Sequence, residues 1–178
     1  MSKKTIFIGI VILSILFFST LIFADQYYDQ YPGNSFVPIN KDYSYFKSAM
    51  SSYLFNNSTL DAYYVCPVNF NVPDGSVYFI KSIGILYKDN RTSGGISIRL
   101  YRNNLYPPGA AHQVALWESG YSEASESIQT ACQGSRNGYK LVDTKKFTYW
   151  LYVYFYVDGA VNPGSELILY QVRIHYGT

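Results

Sequence analysis

The chain is 178 residues long, with two cysteines, two histidines, two methionines and two tryptophans, and 15% of its residues are charged. Each scarcity excludes something. Two cysteines and two distant histidines, His112 and His175, fall short of the ligand sets that hold zinc, so no metal is expected. Asp89, Asn90 and Asp158 could lend oxygens to a loop calcium site, but no EF-hand spacing frames them. A nucleophile elbow is also missing: the nearest text, GYSEA at 120–124, lacks the closing glycine. Glu118, Glu123 and Glu126 fall in a Ser/Gly-rich stretch, where acids more often face water than form a glycosidase pair. No cofactor motif occurs, and the chain is not expected to be an enzyme.

Net charge is as sparse as chemistry. The formal charge is +2, and Lys3 and Lys4 supply it. Beyond Ala24 there remain 12 Lys and Arg against 12 Asp and Glu, with no basic footprint for nucleic acid. Long apolar runs are confined to one place. After Lys3 and Lys4, residues 6–18 are apolar, Ser19 and Thr20 weaken the run, and Ala24 closes it with a small residue. This is the form of a cleavable secretory leader, 1–24. The competing reading is an uncleaved anchor, which would be the protein's one link to a membrane. Export is therefore expected, to the cell surface or the extracellular space, with the periplasm as the other destination.

In an exported chain, Cys66 and Cys132 are expected to form a disulfide. A bridge of that span would stabilise by about 4 kcal/mol in the loop-entropy model. Two free thiols are the alternative. Asn56, Asn57 and Asn90 each open an N-x-Ser/Thr tripeptide, a pattern that also arises by chance in Ser/Thr-rich chains.

What the chain does have is aromatic residues, 19% of the total, with 20 tyrosines. Residues 25–61 form a Tyr/Ser/Asn-rich arm in which Pro32 and Pro38 should block regular structure early. A strand or helical turn is expected within 41–55, with Tyr45, Phe46, Met50 and Phe55 as its contacts. From residue 62 to 178 the pattern is β throughout. Strands are expected at 63–70, 77–87 (with Gly84 a candidate bulge), 96–102, 113–118, 128–132, 146–157 and 166–176, separated by Gly, Pro and Asn turns. In the last of these, Ile168, Tyr170, Val172, Ile174 and Tyr176 share one face. No stretch of ordinary length has helical period. The fold expected is all-β, an antiparallel β-sandwich, with the jelly roll as one form it could take.

One strand is unusual. KFTYWLYVYFYVDG, 146–159, is aromatic or apolar on both faces. Strand side chains alternate, so Phe147, Tyr149, Leu151, Val153, Phe155 and Val157 point one way, into the core. Trp150, Tyr152, Tyr154 and Tyr156 point the other way, about 7 Å apart. A wet face would be polar at every second position, so these rings need a cover or a partner. The arm, the opposing sheet, another subunit or a glycan could each supply it.

The runs CPVNFNVPDGSVYFIKSIGILYKDN, ISIRLYR, YWLYVYFYV and LILYQVRIHY resemble an uncharacterised group of bacterial exported β-sandwich domains. That group has a P-V-x-x-x-P-D-G-A opening, a Y-x-x-D-N strand end and a closing L-Y-G-V-R-I-x-Y strand. Ser76 and Gln171 depart from it, standing where the group tends to have Ala and Gly. The resemblance covers about 62–176 and implies the fold and export; it brings no site residues.

These features lead to an expectation of a non-enzymatic, exported structural subunit that self-associates, as a homo-oligomer or filament, through its Tyr-rich faces. The alternative is a carbohydrate-binding module using Trp150, Tyr152, Tyr154 and Tyr156 as stacking platforms. An envelope hydrolase based on His112 or His175 is the third reading.

Overall fold

The computed structural model describes residues 26–39, 53–56, 60–73, 76–105, 109–119, 125, 127–134, 140–158 and 165–178. The leader and the contacts expected of Tyr45, Phe46 and Met50 lie outside these residues. The described chain is an antiparallel two-sheet β-sandwich, consistent with a jelly roll. Its strands are β1 (Gln26–Pro32), β2 (Val37–Pro38), β3 (Leu54–Asn56), β4 (Ala62–Val68), β5 (Tyr78–Asp89) and β6 (Gly95–Asn104). They continue with β7 (His112–Glu118), β8 (Gln129–Gly134), β9 (Lys140–Val142), β10 (Phe147–Tyr156) and β11 (Leu167–Gly177). One sheet runs β1-β11-β5-β8, with β3 also on β11 and β9 also on β5. The other runs β2-β4-β10-β6-β7, which puts the doubly apolar strand at its centre. Among the described residues no helix is long and apolar enough to cross a membrane.

Alternation explains the layers. Along β10, Tyr149, Leu151, Val153 and Phe155 are buried, and the residues between them are half-buried. The buried set meets Val172, Ile174 and Tyr176 of β11 and Ile80, Ile83 and Ile85 of β5 in one core. Rings in that core meet edge to face, as their quadrupoles favour: Phe155 on Tyr64, Tyr87 on Trp117, and Phe70 on both Tyr149 and Tyr176. Tyr149 also satisfies its hydroxyl, accepting from the Asp143 N–H (3.0 Å) and donating to the Leu141 carbonyl (3.3 Å).

Several expectations are corrected here. The prolines of the arm do not prevent strands; Pro32 ends β1 and Pro38 ends β2, both edge strands, where proline is tolerated. Gly84 is not a bulge. It pairs in register with Arg173 and Cys132, and the irregularities fall instead at Lys81 in β5 and Tyr170 in β11. The extra residue at Tyr170 reverses the faces of β11, because side-chain period is two. Leu167 and Leu169 therefore point inward together with Val172, Ile174 and Tyr176.

The expected disulfide is absent: both cysteines are free thiols. Cys66 on β4 points between the sheets and is buried, and burial raises its pKa. Cys132 on β8 is exposed on the far side of the opposite sheet. The sandwich separates them by a sheet and its core. Two of the three N-x-Ser/Thr asparagines are engaged as well. Asn56 is buried and donates to the Leu60 carbonyl (2.9 Å), and Asn90 accepts from the Glu166 N–H. Asn57 lies outside the described residues.

The turn into β6 depends on a glycine. Gly94 has φ +119°, and a Cβ there would sit 2.5 Å from the Tyr156 carbonyl oxygen. Gly94→Ala is expected to cost about 2 kcal/mol or more, from the disfavoured dihedral and the displaced end of β10. Urea denaturation of the purified variant measures it.

Candidate functional site

The outer face of the five-stranded sheet is built in rows by its registers. Tyr154 lies between Tyr63 on β4 and Ser97 on β6, and Ser97 pairs onward with Glu118 on β7. One row along, Tyr152 lies between Val65 and Arg99. In the next row, Trp150 lies between Pro67 and Tyr101. Directly opposed residues on neighbouring strands share a face, so these five rings gather on one surface, with Tyr156 opposite Gly95 as a sixth.

They are held in pairs. Tyr63 and Tyr154 stack at 4.6 Å with 3° between planes, and Tyr101 and Trp150 stack at 5.8 Å with 19°. Tyr152 sits between the two stacks, 6.1 Å from Tyr63 and 6.3 Å from Tyr101. Among the described residues, lateral ring packing is thus what half-covers this face. The described parts of the 25–61 arm do not roof it: β1 and β3 join the opposite sheet, and β2 extends the edge beside β4.

Hydrogen bonds fix the outer rings. The Tyr154 hydroxyl donates to Asp61 Oδ2 at 2.7 Å, and Asp61 Oδ1 accepts from the Val157 N–H at 2.8 Å. Tyr156 donates to the Ser119 carbonyl at 2.8 Å. Burial, followed by the Asp61 carboxylate, pushes the Tyr154 pKa up, and burial together with Tyr63 raises that of Tyr152. Both phenols stay protonated through neutral and mildly alkaline pH.

Beside the rings a groove of about 420 Å³ is lined by Ser97, Arg99, Glu118, Tyr154, Tyr156 and Asp158, among others. Arg99 Nη2 lies 3.6 Å from Glu118 Oε1, and Ser97 Oγ donates to the same oxygen at 3.2 Å. A hydrogen bond with Tyr101 is the main reason the Arg99 pKa is raised, so the guanidinium is permanently charged. The surface therefore offers flat ring faces together with fixed donors and acceptors, the combination that a hydroxylated ring requires.

Of the residues singled out in the sequence, Trp150, Tyr152, Tyr154 and Tyr156 lie together on this face, each half-buried. Glu118 closes β7 rather than lying in a loop, while Glu123 and Glu126 lie outside the described residues. His112 begins β7 and His175 is on the other sheet, so they cannot act together. Asp89 ends β5 and is fully buried, away from any solvent-facing ion site. Among the described residues no three His, Cys, Asp or Glu side chains are gathered as metal ligands. Sequence reading missed Tyr63, Asp61, Ser97, Arg99 and Tyr101 as parts of this face. The outward positions of Tyr63, Ser97, Arg99 and Tyr101 follow from the alternation of β4 and β6, but their position beside β10 does not, and Asp61 precedes β4 with no pattern to place it.

No family model matches the chain, and no curated relative matches it. Among solved structures it is similar to the insecticidal delta-endotoxin Cry8Ea1 from Bacillus thuringiensis, at 16% identity and TM-score 0.39. That match covers 68% of this chain and 19% of the toxin. A family two carbohydrate esterase from Cellvibrio japonicus matches at 9% identity and TM-score 0.38, over 87% of this chain and 34% of the esterase. The chain thus spans about a third or less of the length of these two proteins. A family 11 carbohydrate-binding module from Clostridium thermocellum, in complex with a β-1,3-1,4-mixed-linked tetrasaccharide, matches at 11% identity and TM-score 0.38. There the match covers 88% of this chain and 91% of the module. With so little shared, what this surface binds is decided by its own side chains.

Proposed function

We propose that this protein is a non-enzymatic, exported glycan-binding domain that holds a polysaccharide across the outer face of its five-stranded sheet. The observation that carries this reading is the mixture on that face: Trp150, Tyr152 and the Tyr63–Tyr154 stack, with Arg99 and Glu118 among them and the buried Ser97 hydroxyl holding Glu118. Protein interface cores are depleted of charge, whereas a glycan needs both ring faces and charged or amide hydrogen-bonding groups. Trp150 and Tyr152 present the stacking surface, and Arg99 with Glu118 fixes hydroxyls at the groove. The leader-like residues 1–24 support an exported setting.

A self-assembling subunit is the second reading, and one feature favours it. Val37 and Ile39 are more than half exposed at and beyond the short edge strand β2, and an apolar edge invites another chain. One set of preparations separates the two. Wild-type protein is expected to be retarded in native gels containing a soluble polysaccharide from a panel of β-glucans, galactans and mannans. Trp150→Ala should lose that retardation, at a stability cost of about 1 kcal/mol from the lost Tyr101 stack. A wild-type chain that is retarded by none, and that light scattering shows to be a discrete oligomer, would favour the self-assembly reading instead.

A further inference from the structure

The opposite sheet carries a second feature that the aromatic face does not explain. Gly84 sits in the interior of the 12-residue strand β5, paired on both sides without a register shift. Its backbone does not require glycine, since Gly94 is the glycine with positive φ among the described residues. Crowding does not require it either. An added Cβ would meet Arg173 Cβ at 3.7 Å and the Ala131 carbonyl oxygen at 3.9 Å, ordinary contacts. A strand-interior glycine weakens a strand and often marks a place where something approaches the backbone closely.

What its bare backbone does is open a groove of about 280 Å³ on the outer face of this sheet. Arg173 and Cys132 face each other across Gly84, and Gln171, His175, Thr130 and the apolar Leu86 are among the other walls. Arg173 is the charged residue of this lining, and among the described residues no carboxylate lines the groove. Its guanidinium is steadied by the Tyr28 ring, 4.9 Å from the centroid, and no acid among the described residues pairs with it. Gln171 is fixed by donating to Gln30 Oε1 at 2.7 Å. Burial, and then the neighbouring Arg173, lowers the His175 pKa, so its imidazole is neutral near pH 7.

We propose that this groove binds the carboxylate of a small organic acid, with Gly84 as its floor and Arg173 as the pairing cation. The volume lies near the lower end for ligand pockets and suits a molecule of one ring. A planar guanidinium is the group best matched to a carboxylate, by paired charge-assisted hydrogen bonds. The site is on the sheet opposite the aromatic face and is independent of the glycan reading.

The test is an NMR titration of isotope-labelled protein with glucuronate, with N-acetylglycine and, as a neutral control, with methyl glucoside. One or both carboxylates should shift the Gly84, Cys132 and Arg173 amides, and methyl glucoside should not. Glucuronate alone would identify a sugar acid, N-acetylglycine alone an acylated amino acid, and both together the carboxylate itself. Arg173→Gln should weaken binding roughly tenfold to a hundredfold, the loss of a charge-assisted pair. Gly84→Val should block the groove while the melting temperature does not fall, and Trp150→Ala should leave this binding unchanged. The proposal is overturned if neither carboxylate shifts these amides at millimolar concentration. Undiminished binding by both Arg173→Gln and Gly84→Val overturns it equally.

Discussion

Phe155→Ala should cost about 3–5 kcal/mol of folding stability, whereas Tyr152→Ala, three residues earlier on the same strand, should cost about 1 kcal/mol. Phe155 is fully buried between the sheets and packs edge to face on Tyr64. Deleting its ring removes the transfer free energy of a benzyl group and leaves a cavity that two stiff sheets cannot close. Tyr152 is half-buried and lies against the flanking rings Tyr63 and Tyr101 on its face, outside the core. For binding the order reverses. Tyr152→Ala should weaken polysaccharide binding by roughly tenfold or more, about the value of one stacked ring and its hydroxyl. Calorimetric titration beside urea denaturation reads both quantities on the same samples. If Tyr152→Ala unfolds the protein as readily as Phe155→Ala, its ring belongs to a core, and the outer face is not a binding surface.

That contrast is also where the sequence was most informative. Alternation alone assigned Phe147, Tyr149, Leu151, Val153, Phe155 and Val157 to the interior; the middle four are buried, Phe147 is partly buried against the core, and Val157, just past the end of β10, lines the outer groove instead. Period-two patterning is a local property, so it survives without knowledge of neighbours. Which strands flank β10 is not local. Trp150 could be seen to need a partner, but that the partner is Tyr101, 49 positions earlier and paired through β6, is a matter of topology. The same reason hid Arg99, which reads on its own as one wet position in a clean strand.

Elsewhere the pattern was ambiguous in itself. Both alternating sets of β11 begin apolar, Leu167 and Leu169 on one and Ile168 and Tyr170 on the other, so no periodicity could place the bulge at Tyr170. Gly84 offered the opposite difficulty: a glycine in a strand fits a bulge or a bare floor equally well, and only the in-register pairing with Arg173 and Cys132 separates them. Cys66 and Cys132 showed a count and a spacing but no direction. Composition makes a bridge reasonable in an exported chain, yet two Cβ vectors on opposite sides of a sheet cannot meet.

Asp89→Ala should be comparably severe, at about 3–5 kcal/mol, because it strands a buried charge. Asp89 and Arg91 are respectively 0% and 1% exposed. Asp89 Oδ1 accepts from the Arg91 N–H (3.1 Å), and Oδ2 accepts from the Ser119 hydroxyl (2.5 Å), which in turn accepts from the Ile96 N–H (2.9 Å). The Arg91 side chain donates to the Asn56 carbonyl (2.7 Å), while its Nε and Nη1 have no acceptor among the described residues. Burial lowers the Arg91 pKa and the Asp89 charge opposes that shift, so removing Asp89 leaves only the unfavourable contribution of these two. Arg91→Met should be milder, since it removes a buried cation together with its two unmatched donors. The double variant should then lose less stability than the two single losses added together. A double-mutant cycle by urea denaturation gives the coupling, and a sum additive within about 0.5 kcal/mol would show that the two charges do not depend on each other. The result also bears on the aromatic face. Ser119, whose hydroxyl Asp89 holds, carries the carbonyl that fixes Tyr156 at the end of the polar groove, so Asp89→Ala should loosen that wall even in the molecules that remain folded.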